Sequence, residues 1–251
     1  MPLTPARIAY LCDRHVGVGS DGLLLLDGQT NEGFGLRIVN PDGSEAEKSG
    51  NGIRIFAKWL RDTGRASTSR FTVRTLGGDV PVEVSGDAEL TLVDADMGEP
   101  LIRSDLEWLD LAGEHVRVVA LSLGNPHCVV VRPDATQADL YRLGPAIERH
   151  RAFPSRTNVQ LAWPEGRDRA RALIWERGAG ETRASGSSAC AVAVALQQLG
   201  LVDRDVTVVM AGGELPIRRD AVGHVWMRGP AEEIARVTLS DELIARLRAL
   251  R

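Results

Sequence analysis

A chain of 251 residues with 43% apolar and 25% charged content falls in the ordinary globular range, long enough for one large domain or two of about 120 residues each. Lys and Arg number 30 against 34 Asp and Glu, and the basic residues are scattered, so the net charge of -4 argues against nucleic acid as a partner. The 3 cysteines, Cys12, Cys128 and Cys190, are odd in number and not spaced as metal ligands, and no signal segment or long apolar run occurs. A soluble cytoplasmic protein without disulfides, metal or membrane span is expected.

Residues 4–14 read as a short helix, and the glycines between Val16 and Gly22 force a turn before the apolar run Leu23–Leu26, a buried strand. Leu36–Val39 is a second strand, ending in the turn Asn40–Gly43. Beyond Ser49, the spacing of Ile53, Phe56, Ala57 and Leu60 predicts a helix packed by one face and stopped near Gly64. Strands follow at Phe71–Thr75, Val80–Ser85 and Leu90–Val93. The alternating stretch Val116–Val131, broken by Gly124-Asn125-Pro126-His127, reads as one strand leaving a first half and another entering a second. Residues 135–150 form a helix, and Thr157–Trp163 and Ala170–Trp175 form strands. The Ala- and Val-rich helix Ser187–Leu199 stops at Gly200. Strands at Val206–Met210, Glu214–Arg218 and Val225–Gly229 and a helix at Asp241–Leu250 close the chain.

Two segments repeat each other. Glu45, Ser49, Gly50, Ala57 and Leu60 slide onto Glu181, Ser185, Gly186, Ala193 and Leu196, each set running into an apolar helix. Two copies suggest a pseudosymmetric pair rather than a solenoid, which needs three or more units. The expected class is α+β, with two lobes (residues 1–121 and 122–251), each a curved, mostly antiparallel sheet around a central helix. Strand exchange between the lobes is expected near 116–131 and at the C-terminus. If both helix N-termini point into the shared cleft, their unpaired N–H groups and dipoles make a seat for a carboxylate.

Arg14-His15 with Asp21-Gly22, Asn40 through Glu45, Ser49-Gly50-Asn51-Gly52, Gly124 through His127, Asn158, and Glu176 through Thr182 stand in an order and spacing that resembles diaminopimelate epimerases, over roughly residues 8–230. That resemblance implies a two-lobed, cofactor-free isomerase that inverts one amino-acid α-carbon by two-base proton transfer. It implies a homodimer in lysine and cell-wall precursor synthesis, with a small amino-acid substrate. By position, Asn40, Asn125 and Asn158 resemble the substrate-binding asparagines. Gly50-Asn51 and Gly186-Ser187 resemble the helix-terminal amides that bind the substrate. Glu176-Arg177 resembles the pair that meets the charged group of the substrate, and His127 with Glu176 the residues beside the acid and base.

The family uses one cysteine from each lobe, and here Ser49 and Ser185 occupy both positions. A thiol keeps a few per cent thiolate at neutral pH, whereas a serine hydroxyl needs an adjacent base. Ser49 and Ser185 therefore read either as members of a relay with His127 and Glu176 or as helix caps. Cys190, on the following helix, should point away from the helix start. Family members also open with a strand and a Gly-Asn-Asp-Phe type segment, whereas this chain begins Met1-Pro-Leu-Thr4, and a start placed too late is expected. Three functions stay open: an epimerase or racemase of a diaminopimelate-like amino acid, an altered racemase or dehydratase of a hydroxylated or cyclic amino acid, and a non-catalytic amino-acid binder.

Overall fold

Serine caps, spaced apolar residues and C-terminal glycines set the helices, and the computed structural model describes residues 1–30, 33–87, 89–111 and 113–250. The first part runs α1 (Pro5–Cys12), β1 (Leu23–Thr30), β2 (Gly33–Val39), β3 (Glu45–Ala46), α2 (Gly50–Asp62), β4 (Arg70–Thr75), β5 (Gly78–Gly86) and β6 (Thr91–Asp96). The linking part holds β7 (Leu101–Ile102), β8 (Trp108–Leu111), β9 (Glu114–Arg117), β10 (Val119–Ser122), β11 (Pro126–Val131) and α3 (Gln137–Glu148). The last part runs β12 (Asn158–Pro164), β13 (Arg169–Glu176), β14 (Gly180–Thr182), α4 (Gly186–Gln198), β15 (Asp205–Met210), β16 (Gly213–Arg219), β17 (Val225–Ala231) and α5 (Asp241–Ala249).

The duplication is complete at the level of pairing. β1 to β6 recur as β12 to β17 at a step close to the 136 residues from Ser49 to Ser185, and α2 and α4 coincide under it to the residue. Each set is antiparallel except for one parallel contact, β2 with β4 and β13 with β15. Both central helices also end alike. Gly64 and Gly200 take φ of 68°, and the N–H groups of Arg65 and Leu201 return to the carbonyls of Leu60 and Leu196 at 2.9 Å, a Schellman closure that favours glycine. β6 and β17 then pair antiparallel, with Val93 opposite Gly229. Those two residues are themselves 136 apart, so the pseudo-two-fold axis passes through that pair and joins both halves in one 15-stranded sheet among the described residues.

The stretch Val116–Val131 departs from expectation. It supplies three strands: β9 pairs with β8 in a separate hairpin, while β10 and β11 form a second hairpin whose turn is Gly124-Asn125. Alternation identified extended chain but not its partners. β11 lies parallel to β12, with His127 opposite Asn158. α4 is buried all round from Gly186 to Leu196, with β10 to β13 and β15 to β17 about it, which is why its sequence is apolar on every face. α2 buries one face against β5, β6 and β17 and exposes Ile55 and Trp59. The three cysteines are free and buried.

Candidate functional site

The site starts at the two helix caps. Ser49 and Ser185 have extended backbone, with φ of −136° and −148°, and each hands the chain into a helix beginning with glycine. A Cβ built on Gly50 would stand 2.8 Å from the Gly186 Cα, and one on Gly186 2.9 Å from the Gly50 Cα, with Met227 Sδ closing in on both. Only glycine permits this approach, and it brings the N-termini of α2 and α4 into contact on the pseudo-two-fold axis. Unpaired N–H groups and two dipoles converge there, an arrangement suited to an anion.

The hydroxyls differ. Ser49 Oγ accepts a hydrogen bond from the Gly52 N–H at 3.1 Å, closing the cap of α2. Ser185 makes no cap bond. Glu176, the last residue of β13, is half-buried. Burial pushes the Glu176 carboxyl up from its ordinary range, and the Ser185 hydrogen bond pulls the other way.

Behind these groups lies a buried polar chain. Asn125 Nδ2 donates to Ser187 Oγ at 3.3 Å, and Asn125 Oδ1 contacts His127 Nε2 at 3.0 Å. Gln160 Nε2 donates to His127 Nδ1 at 3.1 Å and to Ser188 Oγ at 3.0 Å. Because the amide donates to Nδ1, the imidazole hydrogen sits on Nε2 and fixes the Asn125 amide. His127 is 0% exposed, and its pKa is pushed down to about 3, first by burial and then by the charge of Arg177. The ring is therefore neutral, with both nitrogens occupied.

β12 places Asn158 beside this chain. Its Nδ2 donates to the Pro126 carbonyl, and its Oδ1 accepts from the Arg177 N–H, both at 3.0 Å. Arg177 Nη2 reaches Glu47 of the first half at 2.5 Å, so an ion pair spans the two halves just before Ser49. Glu148 at the end of α3 is 3% exposed and accepts from Trp175 Nε1 at 2.8 Å and the Gly178 N–H at 3.0 Å, bracketing Glu176 and Arg177.

Two expected residues stand apart from the shared contacts. Asn51 turns its Oδ1 to Arg54 on its own helix at 3.0 Å. Asn40 donates to Ser44 Oγ at 3.0 Å within its turn, although it occupies the place in the first half that Glu176 holds in the second. Gln160, Glu47 and Glu148 were not foreseen. Gln160 could have been found, since it lies two residues beyond Asn158 and so on the same face of β12. Nothing local marks Glu47 or Glu148. Cys190 is fully buried, and that burial pushes its thiol up to about 12. A cavity of ≈ 590 Å³ lies elsewhere, beyond the end of α4 among Arg167, Arg204 and Arg219, far from these groups in the fold. No group of three or more His, Cys, Asp or Glu that could hold a metal occurs among the described residues.

The sequence pattern of diaminopimelate epimerases matches residues 2–102 and 119–234. The diaminopimelate epimerase of Pelotomaculum thermopropionicum is 42% identical over 243 residues, covering 92% of this chain and 87% of that one. Diaminopimelate epimerase 2 of a Nostoc species is 40% identical over 257 residues, 97% of this chain and 90% of that one. Among solved structures, a hydroxyproline epimerase from Agrobacterium vitis superposes with a TM-score of 0.68 at 14% identity, over 89% of this chain and 77% of that one. A phenazine biosynthesis protein of the PhzF family from Bacillus anthracis gives 0.62 at 16% identity, over 94% and 90%. At such identities these likenesses show the fold alone.

Proposed function

The chain belongs to the diaminopimelate epimerase family, and on that premise we propose that it epimerises LL- and meso-diaminopimelate or a similar amino acid at one α-carbon, without a cofactor, in the cleft where α2 meets α4. The observation that carries this reading is the contact of two helix N-termini at Gly50 and Gly186 with a half-buried carboxylate, Glu176, beside one cap. The substrate carboxylate sits at the N–H groups of Gly50, Asn51, Gly186 and Ser187. When the α-proton leaves, its electron pair spreads into that carboxylate, and the same N–H groups and dipoles gain strength as charge develops. One such donor is worth about 3–4 kcal/mol.

Glu176 acts with Ser185 as the base on one face, and the Ser49 hydroxyl faces the other. General acid–base help of this kind contributes about 10²–10⁴-fold. His127 is read here as a positioning residue that orients Asn125, because its ring is buried and fully bonded. Arg177 and Glu47 meet the distal charged group. Asn40 and Asn158 line the cleft. The two lobes are read as residues 1–121 and 122–251, and the pairing of β7 with β10 supports a boundary somewhat earlier, between β6 and β7. A cytoplasmic homodimer serving lysine synthesis completes the proposal.

The test is to incubate LL- and meso-diaminopimelate separately in D₂O and follow the α-proton by NMR. Loss of the α-proton signal with appearance of the epimer is expected, and Glu176→Gln should abolish both. Substrate that binds but shows neither exchange nor epimer would overturn the reading.

A further inference from the structure

The step that carries Ser49 onto Ser185 also carries Leu24 onto Gln160 and Gly52 onto Ser188. The strand registers agree, Leu24 lying opposite Ile38 as Gln160 lies opposite Ile174. In the first half the contact is apolar and tight: a Cβ on Gly52 would stand 3.0 Å from Leu24 Cδ2. In the second half the same place holds a hydrogen bond of 3.0 Å from Gln160 Nε2 to Ser188 Oγ, with both residues 0% exposed. The fold thus has an apolar solution for this position, and burying an amide there instead carries a desolvation cost that packing alone does not offset.

Gln160 opens a chain whose bonds all run one way. Its Nε2 donates to His127 Nδ1 at 3.1 Å, so the ring hydrogen lies on Nε2 and is given to Asn125 Oδ1 at 3.0 Å. Asn125 then has its amide nitrogen left to donate to Ser187 Oγ at 3.3 Å, and among the described residues the Ser187 hydroxyl gives its own hydrogen to no protein acceptor. Two features fix this sense. Gln160 Oε1 is buried without a partner, and turning the amide over would leave two buried N–H donors unpaired in its place, which costs more than one unpaired acceptor. The ring is also held neutral by burial. A neutral ring that accepts at Nδ1 donates from Nε2, whereas an imidazolium would set a hydrogen against the Gln160 amide.

We infer that Gln160 is a positioning residue: it sets the sense of the buried chain through His127 and Asn125 and thereby leaves the Ser187 hydroxyl free to donate, at the start of α4, to a substrate carboxylate. This rests on the epimerase reading and deepens it, adding a directed O–H to the N–H groups at the helix start. Ser187 lies in the first turn of α4, at the end that touches α2. Bonds in such a chain polarise one another, so its far end feels the loss of the first donor. A leucine at position 160 would leave the ring and the Asn125 amide free to turn, and the Ser187 hydrogen would be drawn back to Asn125 Oδ1.

The nitrogen NMR resonances of the His127 ring in the free protein read the sense of the chain directly: Nε2 should carry the hydrogen and Nδ1 none. Calorimetric titration with an equilibrium mixture of LL- and meso-diaminopimelate reads the far end. Ser187→Ala and Gln160→Leu should each weaken binding about 10-fold, the size of one hydrogen bond to a charged group. The double variant should also lose about 10-fold rather than about 100-fold, because both changes remove the same donor. Should Gln160→Leu fail to fold, Gln160→Leu/Ser188→Gly copies the packing of the first half and takes its place. A hydrogen on Nδ1, unchanged affinity in the leucine variant, or losses that multiply in the double variant overturns the inference and leaves the epimerase reading standing. Wild-type protein that binds no diaminopimelate removes both.

Discussion

Adding one methyl group at the axis tests whether the two helix starts touch. In Gly50→Ala the new Cβ would lie 2.8 Å from the Gly186 Cα and 3.0 Å from Met227 Sδ. Carbon atoms pack at about 3.5–4.0 Å, so the helices must part by roughly 1 Å. Backbone stands on both sides of the clash, and the far face of α4 is packed against strands, so neither can give way cheaply. Overpacking of this kind costs about 1–3 kcal/mol, offset by less than about 1 kcal/mol from the better helix propensity of alanine. Gly186→Ala should cost a similar amount, for its Cβ would meet the Gly50 Cα at 2.9 Å and Met227 Sδ at 2.7 Å. In Gly50→Ala/Gly186→Ala the first methyl has already parted the helices, so the double variant should lose about 1 kcal/mol less than the two singles together. Urea unfolding monitored by circular dichroism reads these values, and α-proton exchange reads the site, where a shift of ~1 Å is worth about 10²-fold. If both single variants unfold at wild-type urea concentration and exchange at the wild-type rate, the claimed contact is wrong.

Stability should fall in acid because of His127. Its folded-state pKa of about 3 lies below the ordinary 6.5, so the unfolded chain takes up the proton first. Stability from this group is complete above pH 6.5 and is lost by about 1.4 kcal/mol per pH unit below it, near about 2 kcal/mol at pH 5. In His127→Gln the slope of unfolding free energy between pH 6.5 and 4 should flatten accordingly. An unchanged slope would mean that the ring is not held neutral. Burial raises Glu176, so the acid limb of the pH–rate profile should lie above the ordinary carboxylate value of 4.5. A limb at or below that value would contradict the role given to this carboxylate. Glu148→Gln sets an amide donor against one of the Trp175 and Gly178 donors, costing about 1–3 kcal/mol and raising KM through the displaced Arg177. Equal KM in that variant would show that Glu148 does not set the position of the loop.

The duplicated cores were legible because their signals are local. A serine cap, apolar residues three and four apart and a closing glycine fixed α2, and the same grammar placed α4 within a residue of its observed ends. Asn125, Asn158, Glu176 and Ser185 were singled out together by the resemblance to diaminopimelate epimerases. The strand content of Val116–Val131 was legible too, but its division into β9, β10 and β11 was not, because alternation marks a pleated segment without naming its neighbour. Three matters were settled only by the folded chain: the pairing of Val93 with Gly229, the contact of Gly50 with Gly186, and the burial that makes His127 a brace for Asn125. The sequence by itself determined two related halves and the chemical groups each carries, since those depend on residues within a few positions of one another. The tertiary structure alone decided that the two helix starts meet and that His127 is sealed from solvent, because those depend on desolvation and contacts between segments far apart in the chain.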